Sequence, residues 1–177
     1  MVNDSAIRYG FISRFFHWLM ALGFVWMLLS ASARFIDKDA AFTKFVFAYH
    51  GQVGFTILCL GVLRVIWAVI QRANRPENPL PVKIGHTCMY VLMIVVPSLA
   101  VIRMIGMGRG FTYWGIWPIL EKTGVETAWM KDLGNTFHGN LGWVLFALII
   151  GHIFFAIKHR YSSKDQDVLP RMLGKTF

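Results

Sequence analysis

The sequence predicts an all-α integral membrane protein, a four-helix bundle forming one domain over residues 1–177. Three observations predict it. Of the 177 residues 56% are hydrophobic and only 15% charged, fewer charges than a soluble domain of this length carries. Four apolar runs, at about residues 14–34, 45–70, 84–105 and 136–160, are each long enough to cross a bilayer as a helix. Histidines recur inside those runs, where ionisable side chains are rare, costly and usually turned to the bundle interior.

The chain opens with a short polar lead carrying Asp4 and Arg8. The first run is apolar apart from His17 and small hydroxyls. A short loop with Asp37, Lys38 and Asp39 leads to the second run, which has His50 near its start and Arg64 near its end. The linker from Gln71 to Lys83 is hydrophilic, and its three prolines forbid continuation of a helix. The third run starts near His86 and contains Pro97, a residue that kinks helices. Residues 106–135 form the longest loop. Its Phe111, Tyr113, Trp114, Trp117 and Trp129 suit an interfacial belt or a short helix lying on the bilayer. The fourth run carries His138 and His152, and a basic tail follows.

Four spans place both termini on one side. That side, with the second loop, holds eleven Lys and Arg, including Lys164 and Lys175; the other side holds seven. The positive-inside bias therefore predicts cytoplasmic termini. The formal net charge of +9 belongs to cytoplasmic loops rather than to a nucleic-acid surface. No glycine-rich phosphate loop and no polar domain for a nucleotide is evident. Cys59 and Cys88 both fall in apolar runs and read as lipid- or core-facing residues. No Cys-x-x-Cys-His occurs, so any haem is held without covalent attachment. No cleavable signal peptide is evident.

The histidines sort by depth. His50 and His138 share the level away from the termini, whereas His17, His86 and His152 share the level near them. His138 and His152 are fourteen residues apart, which returns to within about 40° of the same helix face and rises about 21 Å. Two imidazoles of one helix thus enter one seam at two depths. His50-Gly51-Gln52-Val53-Gly54 is echoed by His138-Gly139-Asn140-Leu141-Gly142. In each, a glycine one turn from the histidine leaves a flat space beside it. Facing imidazoles in a four-helix bundle can hold haem, and this pattern allows two haems across the membrane. The outer pair is His50 with His138, where Gly54 and Gly142 make room. The inner pair is His152 with either His17 or His86; spacing leaves that choice open. Arg64, fourteen residues after His50, shares its seam at the inner level, where it can meet a haem propionate. His159, seven residues after His152, can line a quinone site or meet a propionate.

The ordered set of residues resembles the bacterial cytochrome b561 family along nearly the whole chain. It comprises Arg8-Tyr9-Gly10, Phe16-His17-Trp18-Leu19, His50-Gly51-x-x-Gly54, Leu63-Arg64-Val65-Ile66-Trp67, Gly85-His86, His138-x-x-x-x-Gly142-Trp143, His152-x-x-x-Ala156-x-x-His159, Lys164-Asp165 and Arg171-Met172. The resemblance implies a multi-pass bacterial inner-membrane cytochrome with two b haems that exchanges electrons with ubiquinone. It implies His50 and His138 as ligands of the outer haem iron, His17 and His152 as ligands of the inner one, and His86 and His159 near the quinone. One branch of the family resembles a superoxide oxidase, in which periplasmic superoxide gives its electron to the haems and ubiquinone takes it up.

The leading expectation is therefore electron transfer through two b haems between a periplasmic donor, superoxide being the first to test, and ubiquinone. The alternative is a haem-bearing membrane anchor and electron relay for a partner dehydrogenase or hydrogenase, docked through the aromatic loop at 111–117. A haem-free protein with a histidine metal path is a third class.

Overall fold

The computed structural model describes residues 2–75, 77–162 and 169–174. Lys164, Asp165 and Lys175, used above for the resemblance and the charge bias, lie outside them. Four helical segments are long and apolar enough to cross a membrane. The first is α1 (Phe11–Ile36); the second is split into α2 (Ala41–Ala48) and α3 (His50–Ile70); the third is α4 (Leu80–Gly106); the fourth is α5 (Ala128–Ser162), followed by the short α6 (Leu169–Leu173). Their outward faces are apolar: Leu22, Val25 and Ile150 are more than half exposed, as side chains bathed in lipid are.

The helices run further than the hydropathy pattern indicates. Helix α1 exceeds 14–34 at both ends. The second span begins at Ala41 rather than 45 and is interrupted at Tyr49, one residue before His50. Helix α4 begins at Leu80, inside the linker read as helix-forbidding, because Pro81 sits in the first turn, where no backbone N–H is needed. Helix α5 starts eight residues before position 136. Its first turns carry Lys131, Asp132 and Asn135, polar residues that a helix tolerates beyond the hydrocarbon layer. Just ahead of it, the hydrogen bond from Lys131 and the lysine charge hold the Glu126 carboxyl below its usual range.

The long third loop forms no surface helix over its aromatic part. It makes an antiparallel hairpin, β1 (Phe111–Tyr113) with β2 (Trp117–Leu120). Trp114 and Gly115, the central residues of its turn, both have positive φ (49° and 71°), and the Ile116 N–H donates to the Tyr113 carbonyl at 3.1 Å. Two positive φ values are the signature of a type I′ turn. Gln52 clamps the hairpin to α3: its amide donates to the Thr112 carbonyl (3.2 Å) and its carbonyl accepts from the Trp114 N–H (2.9 Å).

Helix α1 packs along α3, α3 along α4, and α4 most extensively along α5. Glycines set the closest approaches. A Cβ on Gly61 of α3 would stand 3.1 Å from Ile94 of α4, and one on Gly134 of α5 would stand 2.7 Å from the Leu99 carbonyl of α4. The packed core is small. Met20, Ile57 and Met93 form it, with Phe24, Met27, Val53, Leu60 and Tyr90 against them.

The polar lead folds across the end of the bundle that bears the termini. The buried Asp4 carboxylate accepts from the Gly10 N–H (2.8 Å), the Ser13 hydroxyl (2.9 Å) and Arg75 Nε (2.9 Å). Trp67 Nε1 donates to the same Ser13 oxygen at 2.9 Å. The start of α1, the end of α3 and the linker are thereby tied together. Cys59 and Cys88 are free and exposed on their helices.

Candidate functional site

The histidines gather at two levels on opposite sides of that core. At the level away from the termini, His50 of α3 faces His138 of α5 with ring centroids 6.3 Å apart. At the level near the termini, His17 of α1 faces His152 of α5, again at 6.3 Å. His86 of α4 also lies against His152, but closer, at 5.4 Å. Two imidazoles on opposite faces of one iron, with metal–nitrogen bonds of about 2.0 Å and a ring radius of about 1.1–1.2 Å, have centroids about 6.3 Å apart. The His50–His138 and His17–His152 spacings fit one iron each; the His86–His152 spacing is too short for it. Among the described residues no three His, Cys, Asp or Glu side chains converge on a metal ion.

Hydrogen bonds orient the pair away from the termini, the expected outer pair, for that purpose. The Ser30 hydroxyl of α1, fully buried, donates its one proton to the Met27 carbonyl (3.0 Å) and so accepts from His50 Nδ1 at 2.8 Å. His138 Nδ1 lies 2.9 Å from the Val96 carbonyl, which can only accept. Both rings then carry their proton on Nδ1 and leave the Nε2 lone pair free, the arrangement by which proteins fix a ligating histidine. Phe47 stacks on the His50 ring at 4.8 Å, and Arg34 lies over Phe47. Ser30 and the Val96 carbonyl escape a sequence search because a lone serine and a backbone oxygen carry no motif.

The glycines beside the outer pair have room. A Cβ on Gly54 would meet Met27 at 3.5 Å, and one on Gly142 would meet Val96 at 3.9 Å. Both are ordinary contacts. Neither glycine is required by helix packing, unlike Gly61 and Gly134, so the space beside them suits a flat group. Two buried side-chain nitrogens, Trp26 Nε1 and Arg103 Nε, lack a hydrogen-bond partner among the described residues.

At the inner level Arg64 of α3 approaches His17 Nδ1 to 3.2 Å and sits 5.6 Å from the centre of the Tyr90 ring. A guanidinium only donates, so this contact leaves the His17 proton on Nε2. Ligation through Nε2 at His17 requires Arg64 to leave the contact, and an anionic group nearby would draw it away. His86 joins the cluster through His152. His159 stands further along α5, stacked on Phe155 at 6.4 Å.

Four membrane-crossing helices, paired imidazoles at two depths and no motif for covalent attachment are the architecture of a membrane cytochrome that holds haem through histidine. The chain belongs to the prokaryotic cytochrome b561 family, whose model matches residues 8–175. It is also similar to cytochrome b561 homolog 2 of Escherichia coli strain K12, at 29% identity over 191 aligned positions that cover 98% of this chain and 95% of the relative. The family implies b-type haem and transmembrane electron transfer through it, in a bacterial membrane.

Proposed function

We propose that this protein is a di-haem cytochrome of the bacterial inner membrane, with cytoplasmic termini, that transfers electrons between a periplasmic donor and ubiquinone. Two haem b groups are held by His50 with His138 and by His17 with His152. The observation that carries this reading is the repeated 6.3 Å spacing of facing imidazoles at two depths. When bound, each haem would supply a one-electron iron couple at the imidazoles that hold it.

The remaining roles fall to side chains of the chain. Ser30 and the Val96 carbonyl orient the outer ligands. Gly54 and Gly142 leave the porphyrin its space. Arg64, released from His17, neutralises an inner propionate. His86, beside His152 but too close to share its iron, serves as a hydrogen-bonding group for quinone oxygens, and His159 lines the approach. With superoxide as donor the balanced reaction is two superoxide anions, one ubiquinone and two protons giving two dioxygen molecules and one ubiquinol. Arg34 supplies positive charge at the outer mouth for an anionic donor.

Two experiments test the reading. Haem quantification on purified variants should show two haems in the native protein, one after His138→Ala or His17→Ala, and two after His86→Ala. Retention of both haems by His138→Ala would overturn it. Rapid mixing of oxidised protein with superoxide in the presence of ubiquinone should reduce the haems within milliseconds, with reoxidation dependent on quinone. Absence of haem reduction by superoxide, together with ready reduction by quinol, would favour the reading as an electron relay for a partner dehydrogenase. The hairpin is the observation on that side: Trp114, Ile116 and Trp117 are 45%, 66% and 56% exposed on a turn held rigidly by Gln52.

A further inference from the structure

Arg103 occupies an unusual position for a cation. It lies on the last turns of α4, within a segment long and apolar enough to cross the membrane. Its Nε is buried and has no partner, and the Arg103 side chain forms no salt bridge or hydrogen bond among the described residues, its main-chain carbonyl accepting from the Met107 N–H. The acidic residues that do pair there are elsewhere, Asp4 with Arg75 and Glu126 with Lys131. A buried donor left unmade costs free energy, and an unpaired cation beside apolar helices costs more. Such a group persists when an anion completes it.

Its placement says where that anion stands. Gly134 of α5 admits the base of the Arg103 side chain, which a Cβ there would strike. Gly134, His138 and Gly142 follow one another at intervals of four along one face of α5, so Arg103 sits one turn outward of the His138 imidazole.

We infer that Arg103 binds a carboxylate of the outer haem, anchoring its propionate edge toward the outer surface and raising its reduction potential. The inference rests on the reading of His50 and His138 as ligands. Arg103 is then a binding residue for the cofactor, and its role is separable from iron ligation. Charge-assisted hydrogen bonds of this type change affinity by about ten- to a hundred-fold.

The test reconstitutes haem-depleted protein with haem b or with its dimethyl ester, which keeps the iron and the ring but lacks both carboxylates. The outer component is the one that disappears in His138→Ala. In the native protein the outer site should prefer haem b over the ester by about ten-fold or more. Arg103→Met should bring that ratio near one and move the outer midpoint potential to more negative values, with the inner component unchanged. Arg103→Lys, which keeps the charge but loses the fork of donors, should give an intermediate ratio and keep the inference testable if the Met variant assembles poorly. An ester-to-haem ratio that stays as in the native protein in both variants would overturn the inference, including the case where only the reaction with an external anion slows. Loss of no haem in His138→Ala would instead overturn the ligand reading itself.

Discussion

Removing the Ser30 hydroxyl should weaken haem binding at the outer level without touching an iron ligand. Ser30 is fully buried, and its oxygen stands between the Met27 carbonyl at 3.0 Å and His50 Nδ1 at 2.8 Å. In Ser30→Ala the His50 Nδ1–H loses its acceptor. The ring is then free to rotate or to exchange tautomers, and either change takes the Nε2 lone pair away from its partner across the seam. A buried donor left without an acceptor costs about 1–3 kcal/mol, and each 1.4 kcal/mol is about ten-fold in affinity. The outer haem should therefore bind about ten- to a hundred-fold more weakly, as outer-shell changes at metal-ligating histidines do. A neutral acceptor on Nδ1 also raises the basicity of the ligand, so its loss should move the outer midpoint potential to more positive values, opposite in sign to the Arg103→Met shift. The assay is a potentiometric titration in detergent with haem-transfer kinetics to apomyoglobin. Ser32→Ala, two residues further round α1, is the control. Unchanged affinity and potential in Ser30→Ala would show that the serine does not position His50, and the reasoning from its hydrogen bonds would fail.

Other outcomes follow from individual positions. Gly142→Leu should leave the helical content intact, because a Cβ there meets only Val96 at 3.9 Å, yet it should deplete one haem as measured by pyridine haemochrome; full haem content would show that the space is not used. Gly61→Val should lower the unfolding midpoint in detergent by the equivalent of about 1–3 kcal/mol, since its Cβ already stands 3.1 Å from Ile94; an unchanged midpoint would mean that the α3–α4 crossing yields freely. Asp4→Asn breaks a pair whose carboxylate is buried, a loss of about 3 kcal/mol, and should expose the polar lead to limited proteolysis while both haems stay bound.

Much of this architecture was legible in the sequence because a membrane imposes a simple rule on composition. The four spans follow from apolar length alone, and the depth of each histidine follows from its place in its span. The proposed pairing of His50 with His138 draws on a further feature of the sequence: each carries a glycine one turn away, and that repeat has no role in helix packing. What escaped was whatever depends on geometry finer than a helical face. The choice between His17 and His86 rests on less than 1 Å in ring separation, 6.3 against 5.4 Å, which no spacing of residues encodes. The hairpin was missed because its turn is Trp114-Gly115, whereas the common signal for such a turn is Asn or Asp before Gly. Of the aromatic residues that suggested an interfacial belt or a short helix, Phe111, Tyr113 and Trp117 lie on its strands, Trp114 lies in its turn and Trp129 lies on α5. Helix ends ran past the hydropathy limits because a helix may leave the bilayer, as α5 does through Lys131 and Asp132, without leaving its hydrogen-bonding pattern.

The two levels differ in how completely the protein alone prepares them. At the outer level both imidazoles are held by acceptors that belong to other helices, Ser30 on α1 and Val96 on α4, so four segments agree on one ring geometry before any cofactor is present. At the inner level His17 is contacted by a donor, Arg64, and that contact opposes ligation through Nε2. The difference has a physical sense. A neutral acceptor can stay in place when iron binds, because the Nδ1 proton it holds is the one that ligation requires. A guanidinium cannot, and its displacement has to be compensated by a new partner of opposite charge, which a propionate supplies. On the proposed reading of two haems, the outer site is preorganised and the inner one assembles with its ligand, so order of loading should run from the outer level to the inner, with Arg64 moving as the second haem enters.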